Sequence, residues 1–176
     1  MQLTDGVVLL RPPVNEDIAS LYEAVKFSLP ELEPWMDWAT GAYSLSSAQN
    51  WLDFVQAAWS HNTSFHFVII ETKTNMFLGC CGLDGINLQK KECNLGYWIR
   101  SDRANKGIAS RSSRLLVDFA FSKPGIERIE IVAGVENIAS QKVALKIGAQ
   151  LIGPTAKPMV VHDQVKEALL FVINKI

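Results

Sequence analysis

The feature that most constrains this chain is the passage from residue 92 to residue 122, where a two-residue alternation gives way to helical periodicity across a short glycine-containing loop. In Glu92 to Arg100, Cys93, Leu95, Tyr97 and Ile99 fall on one face, and Glu92, Asn94, Gly96 and Trp98 on the other, which predicts a strand with the first set in the core. Gly107 then opens a helix through about Ser122, with Leu115, Leu116, Phe119 and Ala120 at helical spacing and Pro124 and Gly125 beyond its end. A strand that runs by a short loop into a helix points free backbone N–H groups at one spot. The first amides of a helix lack internal partners and its dipole favours negative charge, so Gly107, Ile108, Ala109 and Ser110 read as a cradle for a phosphate or pyrophosphate. Lys106, Arg103 and Arg111 add cationic side chains there. Taken alone, the segment reads equally well as a turn and a solvated helix end.

The rest of the chain alternates strand-like and helix-like stretches without repeats or a linker, as expected of one α/β or α+β domain over residues 1–176. A short strand near Val7 to Arg11 precedes a helix capped by Asn15, with Ile18, Leu21, Tyr22 and Val25 on its apolar side and Pro30 and Pro34 ending it. A second helix is expected to start at Ser46, which has capping-box spacing to Gln49, and to carry Trp51, Leu52, Val55 and Trp59 inward. Phe65 to Glu71 and Met76 to Leu83 read as a hairpin about Thr72 to Asn75. Arg128 to Val135 reads as a strand, Ser140 to Ile147 as a short helix stopped by Gly148, and Lys157 to Val161 and Val165 to Ile173 as a closing pair of strands.

With 48% hydrophobic and 20% charged residues the chain has ample core material. Its 17 basic and 18 acidic residues leave a net charge of −1, so no long-range field gathers nucleic acid or an anionic membrane, and any anion site is local. Cys80, Cys81 and Cys93 have neither metal-ligand spacing nor a disulfide pattern, so no metal is expected, and a reduced, cytoplasmic setting fits best. No signal segment and no apolar run long enough to span a membrane is expected. The patterns GxxxxGK[ST], GxGxxG, HExxH and GxSxG are all absent. The cysteines read as strand packing, and His61, His66 and His162 are given no role.

The order of blocks, with GYWI ending a strand, KGIAS opening a helix, ERIEIVAGVEN on the next strand and NIASQKVALKIGA starting another helix, resembles the GCN5-related N-acetyltransferase (GNAT) superfamily, and within it the RimJ/RimL branch that acetylates N-terminal amines of ribosomal proteins. The amino-terminal LRPPVNEDIASLYEAV and LPELEPWMDW extend the likeness over nearly the whole chain. The resemblance implies a mixed central sheet of about seven strands flanked by helices and acetyl-CoA as co-substrate. It implies a pyrophosphate cradle at Lys106, Gly107, Ile108, Ala109 and Ser110, and pantetheine paired along the backbone of Trp98, Ile99 and Arg100. Two positions depart from the family pattern. Ala104 stands where a Gln or Arg is usual, with Arg103 one place earlier, and Gly148 is followed by Ala149 rather than Phe.

Direct transfer of an acetyl group to an amine needs a neutral amine, a donor to the oxyanion and a proton for the leaving thiolate. Asn137 and Ser140 have the NxxS spacing that the resemblance places beside the thioester sulfur, which makes Ser140 the general-acid candidate, alongside its plainer role as a helix cap. The position where the branch often carries a carboxylate is Asn94, which cannot accept a proton; Glu92 on the same strand face is the substitute candidate, and Glu130 a weaker one. Trp35, Asp37 and Trp38 are candidate walls of an acceptor groove, or packing for a short helix. An α-amine costs about 1 kcal/mol to deprotonate at pH 7 and a lysine about 4.6, so a site with a weak base suits an α-amine. The expected acceptor is therefore a protein N-terminus. A small amine such as a polyamine or aminoglycoside, and a non-catalytic acyl-CoA-binding module, are the alternatives, and a homodimer is compatible with the resemblance.

Overall fold

The computed structural model describes residues 1–156 and 159–176. Eight strands form one mixed sheet in the order β1-β2-β3-β4-β5-β6-β10-β7, and β8 and β9 form a separate ribbon. The strands are β1 (Leu3–Thr4), β2 (Val8–Arg11), β3 (Phe65–Glu71), β4 (Phe77–Asn87), β5 (Glu92–Ile99), β6 (Arg128–Gly134), β7 (Gln150–Pro154), β8 (Met159–Val161), β9 (Gln164–Lys166) and β10 (Ala168–Asn174). The helices are α1 (Ile18–Phe27), α2 (Leu29–Leu32), α3 (Leu45–His61), α4 (Ile108–Ser122) and α5 (Ile138–Lys146).

Every neighbouring pair in the large sheet is antiparallel except β5 and β6. That parallel pair is held by Glu92↔Arg128, Cys93↔Ile129 and Asn94↔Glu130 and ends there, although both strands continue. On their outer sides β5 stays paired to β4 as far as Ile99↔Gly79, and β6 to β10 over its whole length. A gap therefore opens between β5 and β6 beyond Asn94.

The alternation read from the sequence sorts the core into two layers. Phe67, Leu83, Leu95, Leu116, Phe119 and Ile131 are buried together where α4 covers one face of the sheet, and Cys93 joins them as expected. Leu21, Val25, Ala48, Val68 and Cys80 fill the other layer, under α1 and α3. Trp59 of α3 closes the first layer at its edge, stacking edge-on to Phe65 and Phe67 and donating its indole N–H to the His66 carbonyl at 2.9 Å.

Several boundaries differ from the sequence expectation. The cap of α3 is Ser44, not Ser46: Ser44 Oγ accepts the Ser47 amide and Ser47 Oγ the Ser44 amide, both at 3.2 Å. Closely spaced serines offer alternative caps, and the one in extended backbone wins. Asn15 lies inside a single 3-10 turn, and Asp17 takes the cap position of α1 without a side-chain cap bond; its carboxylate instead accepts the Val14 amide at 2.8 Å and is gripped by both terminal Arg11 guanidinium nitrogens at 2.7 Å. Pro30 does not only end α1; it sits in the first turn of α2. α5 starts two residues early because Asn137 caps it. β4 continues past Leu83 through a bulge between Asp84 and Asn87. The closing strands divide differently as well. Residues 159–161 pair with 164–166 as a ribbon, whereas β10 joins the main sheet between β6 and β7, a strand the sequence reading did not contain. Lys157, where a strand was expected to begin, lies outside the described residues.

Candidate active site

The gap between β5 and β6 presents unpaired backbone. The Arg100 amide donates to the Leu78 carbonyl on β4 at 2.9 Å, and the Lys91 carbonyl accepts the Glu127 amide from the β6 side at 2.8 Å. Because peptide groups alternate sides along a strand, the polar groups of Asn94, Gly96, Trp98 and Arg100 face β4, while those of Leu95, Tyr97 and Ile99 face the gap. Of the backbone expected to pair with a ligand, Ile99 points into the opening and Trp98 and Arg100 do not; Tyr97 takes the remaining place.

β5 leads by a single turn, Ser101 to Arg103, into the start of α4. The Ser101 amide donates to Ser28 Oγ at 2.9 Å, which moors this loop to the end of α1. Asn105 (φ 61°) and Gly107 (φ 75°) both take the left-handed conformation, and Gly107 caps α4 without a side chain. A Cβ on Gly107 would find nothing within 4 Å, so the space before the helix is open. The Arg111 amide is the one that reaches back to the Gly107 carbonyl, at 3.0 Å, which leaves the amides of Gly107, Ile108, Ala109 and Ser110 as the unpaired first turn. The neighbouring cations are partly engaged. Arg100 Nε donates to Asp102 at 2.7 Å and its guanidinium lies over the Phe27 ring; Arg111 is paired with Asp5 at 2.7 Å; Arg103 Nε is buried, 3.8 Å from Asp102. Lys106 is exposed.

Ser140 sits on the α4 side of the gap. Its amide donates to Asn137 Oδ1 at 3.0 Å, so Asn137, not Ser140, is the helix cap and the serine hydroxyl is left for other work. That hydroxyl lies 3.1 Å from the Tyr97 hydroxyl, which also donates to the Ser140 carbonyl at 3.0 Å. Burial pushes the Tyr97 phenol up to about 12, against a smaller downward pull from Ser140, so it is a proton-bearing group throughout the neutral range. The sequence reading took Tyr97 as core, since strand alternation gives a face but not a hydroxyl's partner.

The opposite face of the same strands carries a cavity of about 360 Å³ under α1 and α3. Gly82 and Gly96, opposite each other on β4 and β5, form its floor, and Trp38, Tyr43, Trp51 and Trp98 its walls. Trp38 stacks obliquely on Tyr43 and Trp98, with centroids 5.8 and 6.0 Å away. At one end His66 Nε2 approaches Asp84 Oδ1 to 2.9 Å. Asp84 stands directly across from Asn94, and Asn94 across from Glu130, so these side groups form one row over three strands at the point where the gap begins. Glu92 lies one step toward the closed end of the ladder, across from Arg128, with Lys90 Nζ 3.9 Å from its carboxylate.

Trp35 and Asp37 anchor the loop before α3 rather than line the cavity. The Trp35 ring packs on Gly134, where a Cβ would come within 2.7 Å of it, and beneath Lys166 at 5.2 Å; Asp37 accepts the His162 amide at 2.7 Å. These contacts join the loop to the turn of the β8–β9 ribbon.

Against known proteins, residues 8–150 match the model of the acetyltransferase (GNAT) domain. This chain belongs to the GNAT family. A GNAT relative, the uncharacterized N-acetyltransferase p20 of Bacillus licheniformis, is 30% identical over 87 residues, 49% of each chain; the match spans about half the length of the curated relatives. Among solved structures, RimL, a ribosomal L7/L12 α-N-protein acetyltransferase in complex with coenzyme A, superposes with a TM-score of 0.90 at 18% identity, over 99% of this chain and 98% of that one. The ribosomal-protein-S5-alanine acetyltransferase of Vibrio fischeri gives 0.88 at 19% identity, over 99% and 96%. At these identities the likeness establishes the fold. Among the described residues, no helix is long and apolar enough to cross a membrane.

Proposed function

We propose that this chain transfers the acetyl group of acetyl-CoA directly to the α-amine of a protein N-terminus, with a ribosomal protein as the favoured acceptor. The observation that carries the reading is the gap that opens beyond the Asn94↔Glu130 pair and leads to the unpaired first turn of α4. The residues present fit the cofactor. The amides of Gly107 to Ser110 would hold its pyrophosphate, helped by Lys106 and Arg103, with open space at Gly107 for close approach. Backbone groups of Tyr97 and Ile99 would pair with the amides of its pantetheine arm, which then runs through the gap as an added strand. Acetyl-CoA supplies an activated acyl group and a thiolate leaving group.

Ser140 would donate a proton at the sulfur end of that arm, with Tyr97 as its partner. When Tyr97 donates to the Ser140 side chain instead of the Ser140 carbonyl, the serine proton is free to turn into the gap. The amine comes from the opposite face, through the cavity walled by Trp38 and Trp98. The relatives' own substrates support the choice of acceptor: RimL is named as an α-N-protein acetyltransferase and the Vibrio fischeri protein for the alanine of ribosomal protein S5. The thiols are free and buried, and a reducing cytoplasm is the setting we assign.

Incubation with acetyl-CoA and peptides beginning with serine or alanine, followed by tandem mass spectrometry, tests this. One acetyl group on the α-nitrogen is the expected product. Acetylation of lysine side chains alone, or of spermidine or an aminoglycoside in preference to the peptides, would overturn the assignment.

A further inference from the structure

Resting on the transferase reading above, we propose that His66 and Asp84 together take the proton from the acceptor amine. An ammonium must lose a proton before its nitrogen can attack, and β5 offers no suitable group at the opening: Asn94 accepts no proton, and Glu92 is set back across from Arg128 and near Lys90. The neighbouring strand does. Asp84 faces Asn94 across the ladder, its side chain is 46% exposed, and it is the one carboxylate among the residues lining the cavity. His66 lies behind it, with Nε2 at 2.9 Å from Oδ1.

The local structure is built for this pair. A side chain at position 82 would put its Cβ 2.4 Å from His66 Nδ1, so glycine there is what lets the imidazole lie flat over β4 and reach Asp84. Trp51 and Phe54 of α3 meet the ring edge-on, both with centroids 6.1 Å away, and fix its plane. Nε2 is buried, and its short contact to Asp84 is out of line for a hydrogen bond, so the pair is incompletely satisfied as it stands. The other titratable residues lining the cavity, Tyr43, Cys80, Cys81 and Tyr97, are all held neutral by burial, and α3 contributes Ser47 and Trp51. An ammonium entering the cavity past Trp38 and Trp98 therefore meets aromatic rings and one carboxylate.

The step balances as follows. Asp84 accepts the hydrogen bond of the ammonium and relays the proton to Nε2 of His66. The N–H bond electrons stay on the amine nitrogen as the lone pair that attacks the thioester carbon, leaving an imidazolium beside a carboxylate. The imidazolium returns its proton to solvent. An α-amine, with a reference pKa of about 7.8, gives up its proton far more cheaply at neutral pH than a lysine at about 10.4, so a weak base of this kind suits α-amines.

The test measures kcat/KM against pH for a serine-initiated peptide in the native chain and in His66→Gln, Asp84→Asn and Glu92→Gln, with acetyl-CoA affinity by calorimetry as the check on folding. His66→Gln is expected to lose on the order of a hundredfold in kcat near pH 7, to keep its acetyl-CoA affinity, and to recover as the pH passes the amine's own pKa; Asp84→Asn is expected to raise the peptide KM as well. His66→Gln and Asp84→Asn within twofold of the native profile, or a pH dependence removed by Glu92→Gln alone, would overturn the proposal. Should the native chain bind acetyl-CoA yet acetylate no amine, the transferase reading fails, and the His66 ring resonances in the presence of CoA and the same peptide decide separately. A shift at His66 with His61 and His162 still supports an amine site at the pair, and an unmoved His66 refutes it.

Discussion

Tyr97 on β5 and Ser140 on α5 bring their hydroxyl oxygens to 3.1 Å across the edge of the gap, joining the strand that would carry the pantetheine to the helix that would serve the sulfur. The two positions are 43 residues apart in sequence, and the NxxS spacing alone pointed to only one of them.

Replacing either hydroxyl separates their roles. Ser140→Ala is expected to lower kcat by about 10²-fold or more, and Tyr97→Phe by less, with acetyl-CoA affinity unchanged in both. Steady-state kinetics beside calorimetry provide the check; equal loss of cofactor affinity would mean the pair holds the ligand rather than moving a proton.

Gly107 is strained for any other residue by its φ of 75° alone, since a Cβ there meets nothing. Gly107→Ala is therefore expected to cost about 1–2 kcal/mol and to lower Tm by roughly 2–8 °C for a chain of this size, while weakening acetyl-CoA binding. An unchanged melting curve would contradict the geometry of the cap.

Gly82 and Gly96 face each other beneath the cavity but differ in what lies above them. Alanine at 82 drives a Cβ into the His66 ring, and alanine at 96 meets nothing within 4 Å. Gly82→Ala is expected to destabilise by about 1–3 kcal/mol and to move the His66 ring resonances, and Gly96→Ala to leave stability within about 0.5 kcal/mol. Equal melting temperatures for the two variants would argue against the placement of His66.

Much of this was legible in the residues. The alternation of β5 correctly put Cys93 and Leu95 inside, and Gly107 with its basic neighbours marked the helix start. What sequence withheld was relation between strands. His66, Asp84 and Asn94 are brought together by β-ladder register, which no local pattern encodes, so the sequence gives His66 no role and offers Glu92 and Glu130, not Asp84, as base candidates. For Trp35 and Asp37 the sequence leaves groove wall and packing both open, because their partners, Gly134 and the His162 amide, lie about a hundred residues away or more. The plainer role that the sequence offers Ser140 beside that of general acid, helix cap, belongs to Asn137, because a serine near a helix start does not mark the start itself.

The thiols give a pH prediction. Burial pushes Cys93 up to about 12, with the charges of Asp84 and Glu92 adding to it, and holds Cys80 and Cys81 protonated as well. A raised acid pKa favours the neutral form in the fold, so its stabilising share is complete below the unfolded thiol's pKa and declines as the pH rises through the range up to about 12. At pH 8 Ellman's reagent is expected to react only as fast as the chain unfolds, and reaction within the mixing time would contradict the burial of these residues.

The central claim is that the main chain of two elements grips coenzyme A. Amide spectra of labelled protein titrated with coenzyme A test it most directly. The account predicts large shifts at Gly107, Ile108, Ala109 and Ser110 and at the gap-facing amides of Tyr97 and Ile99, with Trp98 and Arg100, bonded to β4, moving less. Binding that leaves the first turn of α4 undisturbed, or no binding by a folded sample, would contradict it.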